Sequence, residues 1–269
     1  ITDFETALIN RKEDSWRART YGLHFTQYFP NRELGVAYYY MERYEDAEEQ
    51  LERALEMVDT ARGHHYLSLT RRALIAQGAL EDKDAPGIST DAGESALLSD
   101  HIMPIRIAAA DDLGVAEVRL NNRVLPQRAE QDSVEFMEQM QLQEGTNEIE
   151  VAVTDLADKV KTEKRSLTLD LTGPTIGLFT PTDAMVTDMS TLSIEGVCVD
   201  KYGIKEIIVN EQKVADGNGE IKLPFASTVS IVPGENRILI TARDMAGNET
   251  YSQVMVYHGE QKDVAAHLW

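Results

Sequence analysis

The residues best placed to do chemistry in this 269-residue chain are aspartates that recur at a fixed distance. Asp111, Asp112 and Asp155 form one group, and Asp200 and Asp244 form another 89 positions on. Gathered at one end of a β-fold, such carboxylates would offer the hard oxygen ligands that calcium takes. The same aspartates suit a simpler task, accepting backbone N–H bonds within their own turns, as Asp-x-x-Gly segments commonly do. Capping is the simpler account. Calcium is the one cofactor these residues suggest, and nothing else in the chain calls for one.

Other candidates for chemistry are few. The single cysteine, Cys198, lies in Leu192-Ser-Ile-Glu-Gly-Val-Cys-Val, an alternating strand pattern, and the nearest histidine in sequence is His258. A buried structural thiol is expected, since a nucleophile needs an adjacent base. His64 and His65 follow Gly63 and read as a surface loop, with no Cys or carboxylate spacing to complete a metal site. There is no Gly-rich phosphate loop, zinc-ligand cluster, Gly-x-Ser-x-Gly elbow or His-Glu-x-x-His motif. The chain is not expected to be an enzyme by itself.

Charge narrows the partners. The net charge is −20, of which residues 1–83 carry −4 and residues 84–269 carry −16. Such a surface repels phosphate backbones and anionic lipid, so neither nucleic acid nor an acidic membrane is an expected partner. No apolar run reaches the roughly 18 residues needed to span a bilayer. The chain opens at Ile1 rather than Met, which fits a trimmed or processed protein, so the lack of a signal segment does not argue for the cytoplasm.

The elements that must position these residues fall into two textures. Residues 1–83 contain one proline, Pro30, and helical periodicity. Leu34, Tyr38 and Met41 make one apolar stripe, and Ala47, Leu51, Ala54, Leu55 and Val58 make the facing one. Glu45, Glu48, Glu49, Glu52 and Arg53 are then expected on the solvated side. Leu34-Gly35, Tyr38, Tyr44, Ala47, Leu51 and Ala54 together resemble a tetratricopeptide repeat, with Gly35 small where the helices cross. The closing proline of that family is absent, since Asp59-Thr60 stands there. Flanking helices are expected at about 2–26 and 66–81. The resemblance implies a docked protein partner, for which Tyr38, Tyr39 and Tyr40 are the candidate contacts; helix-packing aromatics are the plainer reading.

After Lys83 a linker, Asp84-Ala-Pro-Gly-Ile-Ser-Thr-Asp-Ala-Gly, opens a duplicated region. Residues 111–159 align with 200–248 without a gap, with 10 identities in 49 positions. Pro86 and Pro174 also match, but one residue out of register. Each copy reads as short strands between turns; Ile149, Val151 and Val153 alternate inward, as do Ile238, Ile240 and Ala242. The run from Asp200 to Asn210, followed by Pro233 to Asn248, resembles bacterial immunoglobulin-like modules of the kind named after domain B of glucodextranase. The first copy departs from it at Asp158-Lys159, where the second has Gly247-Asn248. In such a topology Asp200 and Asp244 share one end of their module. The Asp111, Asp112 and Asp155 group is expected to face the junction between modules.

The predicted architecture is therefore α plus all-β. A tetratricopeptide-like helical segment (1–83) precedes two tandem immunoglobulin-like β-sandwiches (84–172 and 173–258) and a tail (259–269). The resemblances imply a non-catalytic scaffold or adaptor of the bacterial cell envelope, periplasmic or at the cell surface. The helices would dock a protein and the sandwiches would act as spacers. Two other readings stand beside it: a carbohydrate-binding accessory region of a larger surface enzyme, or a structural stalk. The sandwiches contain no tryptophan, which weighs against sugar platforms. The sequence leaves oligomerisation open.

Overall fold

Period-two burial dominates the chain after residue 86, and strands follow from it. The computed structural model describes residues 1–93 and 95–259. All but the first residue of the expected tail, including Trp269, therefore lies outside the described residues. The chain is mostly β, with a small helical part at the N-terminus. In order, α1 is Thr2–Asn10, β1 Ser15–Arg19, β2 Phe25–Tyr28, α2 Pro30–Tyr40, α3 Tyr44–Met57 and α4 Ala61–Gln77. The first β module holds β3 Gly87–Thr90, β4 Ser95–Leu98, β5 Ile102–Leu120, β6 Arg123–Val124, β7 Gln131–Gln141, β8 Gly145–Asp155 and β9 Val160–Leu169. The second holds β10 Thr175–Thr180, β11 Met185–Thr187, β12 Thr191–Val209, β13 Gln212–Ser230, β14 Gly234–Asp244 and β15 Glu249–His258. Two compact units divide the chain: Ile1–Gly93 with Pro104–Gln139 and Glu148–Arg165, and the remaining described residues.

The second module shows how one sheet becomes two layers. Residues 191–199 of β12 pair with β10 and with the later part of β13, whereas residues 204–209 pair with β14 and the start of β13. The strand thus changes layer at Asp200–Gly203. Gly203, at φ +105°, is required there: an added Cβ would stand 2.5 Å from the Gly219 carbonyl oxygen. β15 lies antiparallel to β14 and parallel to β11. One layer is then β10, early β12 and late β13; the other is β11, β15, β14, late β12 and early β13. This is an immunoglobulin-like sandwich. Its core is built from Ile194, Cys198, Ile204, Ile207, Ile238 and Ile240 among others, all fully buried.

The first module repeats this order, β3-β5-β8-β9-β4 with β6 and β7 beside β5. β5, β8 and β9 lie 89 positions before β12, β14 and β15 at both ends, which carries the gapless repeat well past the segment matched in sequence. Ile149, Val151 and Val153 are buried, as are Ile238, Ile240 and Ala242.

The helical part departs from expectation in three places. The helix expected at 2–26 stops at Asn10, and a β1–β2 hairpin follows it. The physical reason lies at Asp14, which leaves the chain to cap α2: its carboxylate accepts from Asn31 N (3.0 Å), Asn31 Nδ2 (2.9 Å) and Arg32 N (3.2 Å). Asn31 N and Arg32 N are free N–H groups of the α2 first turn, where the N-cap residue Phe29 offers no side-chain acceptor. Second, His64 and His65 are not in a loop. Thr60 caps Gly63 N at 3.1 Å and starts α4 at Ala61, so both histidines are helical. Third, Glu48 and Glu52 are not simply solvated; both reach Arg71. The α2–α3 crossing is as expected, with Gly35 against Leu51 and Ala47.

Candidate functional site

Each module brings three aspartates together. In the first these are Asp82, Asp111 and Asp155, and in the second Asp170, Asp200 and Asp244; one carboxylate oxygen from each lies within 4.8 Å of the others in its triad. Asp111 and Asp200 sit where their long strands bend between layers. Asp155 and Asp244 end β8 and β14, and Asp82 and Asp170 stand four residues before Pro86 and Pro174. Four of the five aspartates expected from the sequence thus fall into two triads, each completed by a residue that sequence reasoning missed. The signal was present: Asp82 and Asp170 share the one-residue offset of the two prolines, which the gapless alignment cannot show.

Two expectations need correction. Asp112 is exposed and belongs to neither triad. It is also the Asp200–Asp244 group, not the Asp111–Asp155 group, that meets the linker between the modules, because Asp170 directly follows β9.

Turn capping occurs as well, on one oxygen of each of five of these aspartates. Asp111 Oδ1 accepts from Leu113 N and Gly114 N, both at 3.0 Å; Asp200 Oδ1 accepts from Tyr202 N and Gly203 N at 2.8 and 2.9 Å. Asp155 Oδ1 takes Ala157 N and Lys159 N, and Asp244 Oδ1 takes Gly247 N and Asn248 N. Asp170 Oδ1 takes Thr172 N and Oγ1. Both carboxylate oxygens of Asp82 and the Oδ2 atoms of Asp111, Asp155 and Asp170 are left buried without a hydrogen-bond partner. Asp155, Asp170 and Asp244 have no exposed surface at all.

Such crowding is costly. Like charges within 4.8 Å repel by roughly 3–4 kcal/mol per pair at an effective dielectric constant of about 20. Burial pushes the Asp111, Asp155 and Asp200 carboxyls above their ordinary range, against the turn N–H bonds that pull down, and neighbouring carboxylates add to the rise. The triads are the places where a cation would be held.

The tyrosine run does not form one surface. Tyr38 is buried in the helical core under Arg43, whose guanidinium lies 4.3 Å from its ring centroid. Tyr39 is half-buried, and Tyr40, 69% exposed, shares a 2.8 Å hydroxyl contact with Tyr66. Of the three, Tyr40 offers most to a partner. More apolar surface stands on the hairpin, which the sequence did not reveal: Tyr21 and Leu23 are 86% and 85% exposed, with Trp16 and Phe25 about half exposed. Beside α4 a cleft of about 270 Å³ is lined by Glu52, His64, Ser68, Arg71, Glu130 and Asp132. Cys198 is fully buried, and burial pushes its thiol up to about 11.

No family model matches the chain. It is 30% identical over 130 residues to bacillopeptidase F of Bacillus subtilis, a match that covers 47% of this chain and spans 9% of that protein. Among solved structures, the fibronectin(III)-like modules of Clostridium thermocellum CbhA align over 65% of this chain and 96% of theirs, at 14% identity and a TM-score of 0.34. A fragment of three immunoglobulin domains from titin aligns over 65% of this chain and 66% of its own, at 11% identity and a TM-score of 0.41. At these scores neither alignment carries an argument, and the immunoglobulin-like assignment rests on the strand pairings above.

Proposed function

We propose that this chain is a non-catalytic accessory segment of a longer protein at the bacterial cell envelope or outside the cell. Its N-terminal part, tetratricopeptide-like in α2 and α3, docks a protein partner, and its tandem modules space that partner from the rest of the assembly. The observation that carries this reading is the apolar surface of the β1–β2 hairpin, where Trp16, Tyr21, Leu23 and Phe25 stand exposed. Exposed apolar groups clustered on one small element mark interaction sites in soluble proteins. Tyr and Trp are the residue types that anchor such interfaces. The match to bacillopeptidase F, spanning a small share of that protein, suits a module that recurs within longer chains.

The test is capture of partners by the intact chain and by variants, with bound proteins identified by mass spectrometry. A partner held by the intact chain should be lost when Trp16→Ala and Leu23→Ser are combined, and lost when residues 1–83 are removed. Retention of every partner by both variants overturns the reading.

A further inference from the structure

Position 159 and its counterpart 248 distinguish the two triads chemically. Asn248 Nδ2 donates to the Asp170 carbonyl oxygen (2.9 Å) and to Asp244 Oδ2 (2.8 Å), adding hydrogen bonds and no charge. Lys159 makes the same reach in the first module. Its Nζ donates to the backbone carbonyls of Asp82 (2.9 Å) and Asp84 (3.1 Å) and lies 3.2 Å from Asp82 Oδ1. The first triad thus has an ammonium beside one of its members, Asp82, while the Oδ2 atoms of Asp111 and Asp155 stay without a donor. In the second, Lys201 feels the Asp170 charge through space, but its ammonium donates to the Tyr202 hydroxyl at 2.8 Å and makes no ion pair with the triad.

Two independent observations meet at the second triad. Three carboxylates with almost no exposed surface converge within 4.8 Å, and Asp170 Oδ2 is buried with no donor to satisfy it. The first triad has such oxygens too, on Asp82, Asp111 and Asp155, so what separates the two is the ammonium of Lys159. Turn capping accounts for the Oδ1 atoms of the second triad and leaves Asp170 Oδ2 unexplained. Oxygens that share a calcium ion at 2.3–2.6 Å lie at most about 5 Å apart, which the triad meets, and calcium accepts a ligand set of carboxylates, carbonyls and water.

We propose that Asp170, Asp200 and Asp244 bind a hard divalent cation, calcium, and that Lys159 takes the place of that cation in the first module. One calcium ion then binds per chain. It ties the linker residue Asp170 to the bend of β12 and the end of β14. The proposal does not depend on what the helical part docks.

The experiment is calorimetric titration of the full chain with calcium chloride after chelator treatment, with melting temperature as a second measurement. Physiological salt screens diffuse attraction to the net charge of −20 beyond about 8 Å. The intact chain should bind one ion, with a Kd at or below about 10⁻³ M, and melt higher with calcium than with chelator. Asp170→Asn keeps the Oδ1 acceptor that holds its turn, and Asp244→Asn keeps its own while losing the bond from Asn248 Nδ2; melting in chelator checks that each is folded, and each should weaken binding more than tenfold. Asn248→Lys installs the first module's own solution and should abolish the calcium heat while the chain stays folded. Lys159→Asn should raise the stoichiometry from one to two. No heat and no melting shift with the intact chain overturn the proposal, as does undiminished binding by Asn248→Lys. A stoichiometry of one after Lys159→Asn overturns the role of Lys159.

Discussion

Arg71 Nη1 donates to the backbone carbonyl oxygen of Leu113 at 2.6 Å, which fastens α4 to the bend of β5 two residues after Asp111. The same guanidinium meets Asp132 at 2.8 Å, Glu52 at 2.9 Å and Glu48 at 3.4 Å. Burial works against its charge, but hydrogen bonds to Glu52 and Asp132 outweigh that and raise its already high pKa. The side chain that joins helix to sandwich is therefore charged at every accessible pH. The bend that carries a metal-ligand candidate is thus held from the helical side.

Replacing that side chain should loosen both elements. Arg71→Met keeps the apolar stem and removes the fork, leaving the Leu113 carbonyl and the acids without their donor. A loss of about 1–3 kcal/mol in urea unfolding is expected, below the cost for a fully buried pair because Glu52 and Asp132 are half or more exposed. Asp132→Asn should cost only a few tenths of a kcal/mol. Equal losses from the two variants would show that the Leu113 bond contributes nothing.

Gly35 gives a sharper test of packing. A Cβ there would stand 2.6 Å from Leu51 Cγ, so the helix-propensity gain of about 1 kcal/mol from Gly35→Ala is set against overpacking of a similar or larger size. The expected net effect is a destabilisation of about 1–2 kcal/mol. Leu51→Ala alone should cost about 2–5 kcal/mol, since Leu51 is fully buried. Combined, the two should cost at least 1 kcal/mol less than their sum, because the second removes the clash of the first. Strict additivity, measured by a double-mutant cycle, would refute the contact.

These examples show what the sequence could and could not reveal. The sandwiches were legible because every second residue of strands such as Glu148–Val153 is apolar, and that period has one structural meaning. Gly35 was legible because a helix crossing needs a small residue. The β1–β2 hairpin was not, since its strands are short and its apolar residues face solvent, so burial leaves no period to read. Arg71 was hidden because its partners at Leu113 and Asp132 come from a distant part of the chain. Asp82 and Asp170 were hidden by a one-residue change in register, although their role repeats in both modules.

Asn147 and Asn236 were legible as turn residues, and their geometry sets an order of effects. Asn236 Oδ1 accepts from Val232 N at 2.8 Å, while Nδ2 donates to the carbonyls of Val232 (2.7 Å) and Gly234 (3.0 Å); Asn147 does the same with Gln143 and Gly145. Asn236→Ala should cost about 1 kcal/mol. Asn236→Asp should cost more at neutral pH, because a carboxylate would face two carbonyl oxygens it cannot bond. Its proton is then held more tightly folded than unfolded, so stability lost at neutral pH should return on acidification toward pH 4. Melting curves of the three proteins at two pH values check both the ranking and the recovery.

Cys198 yields the clearest dependence on pH. The thiol is fully buried among Ile194, Ile204 and Ile238, and burial pushes it from 9.0 to about 11. Between those values the unfolded chain has released the proton and the folded chain keeps it. The unfolded state therefore binds fewer protons, and stability falls as pH rises. The contribution is intact below about 9 and declines by on the order of 1 kcal/mol per pH unit up to about 11. Lysines and tyrosines titrate in the same range, so the quantity to measure is the difference from Cys198→Ala, which has nothing to ionise there. Stability profiles from urea unfolding should diverge through this window, with the native protein losing more. In parallel, a thiol reagent at neutral pH should leave the folded chain unlabelled and modify it at once in denaturant. Parallel stability profiles, or rapid labelling of the folded chain, would mean that the thiol reaches solvent and that the core of the second module is open at β12.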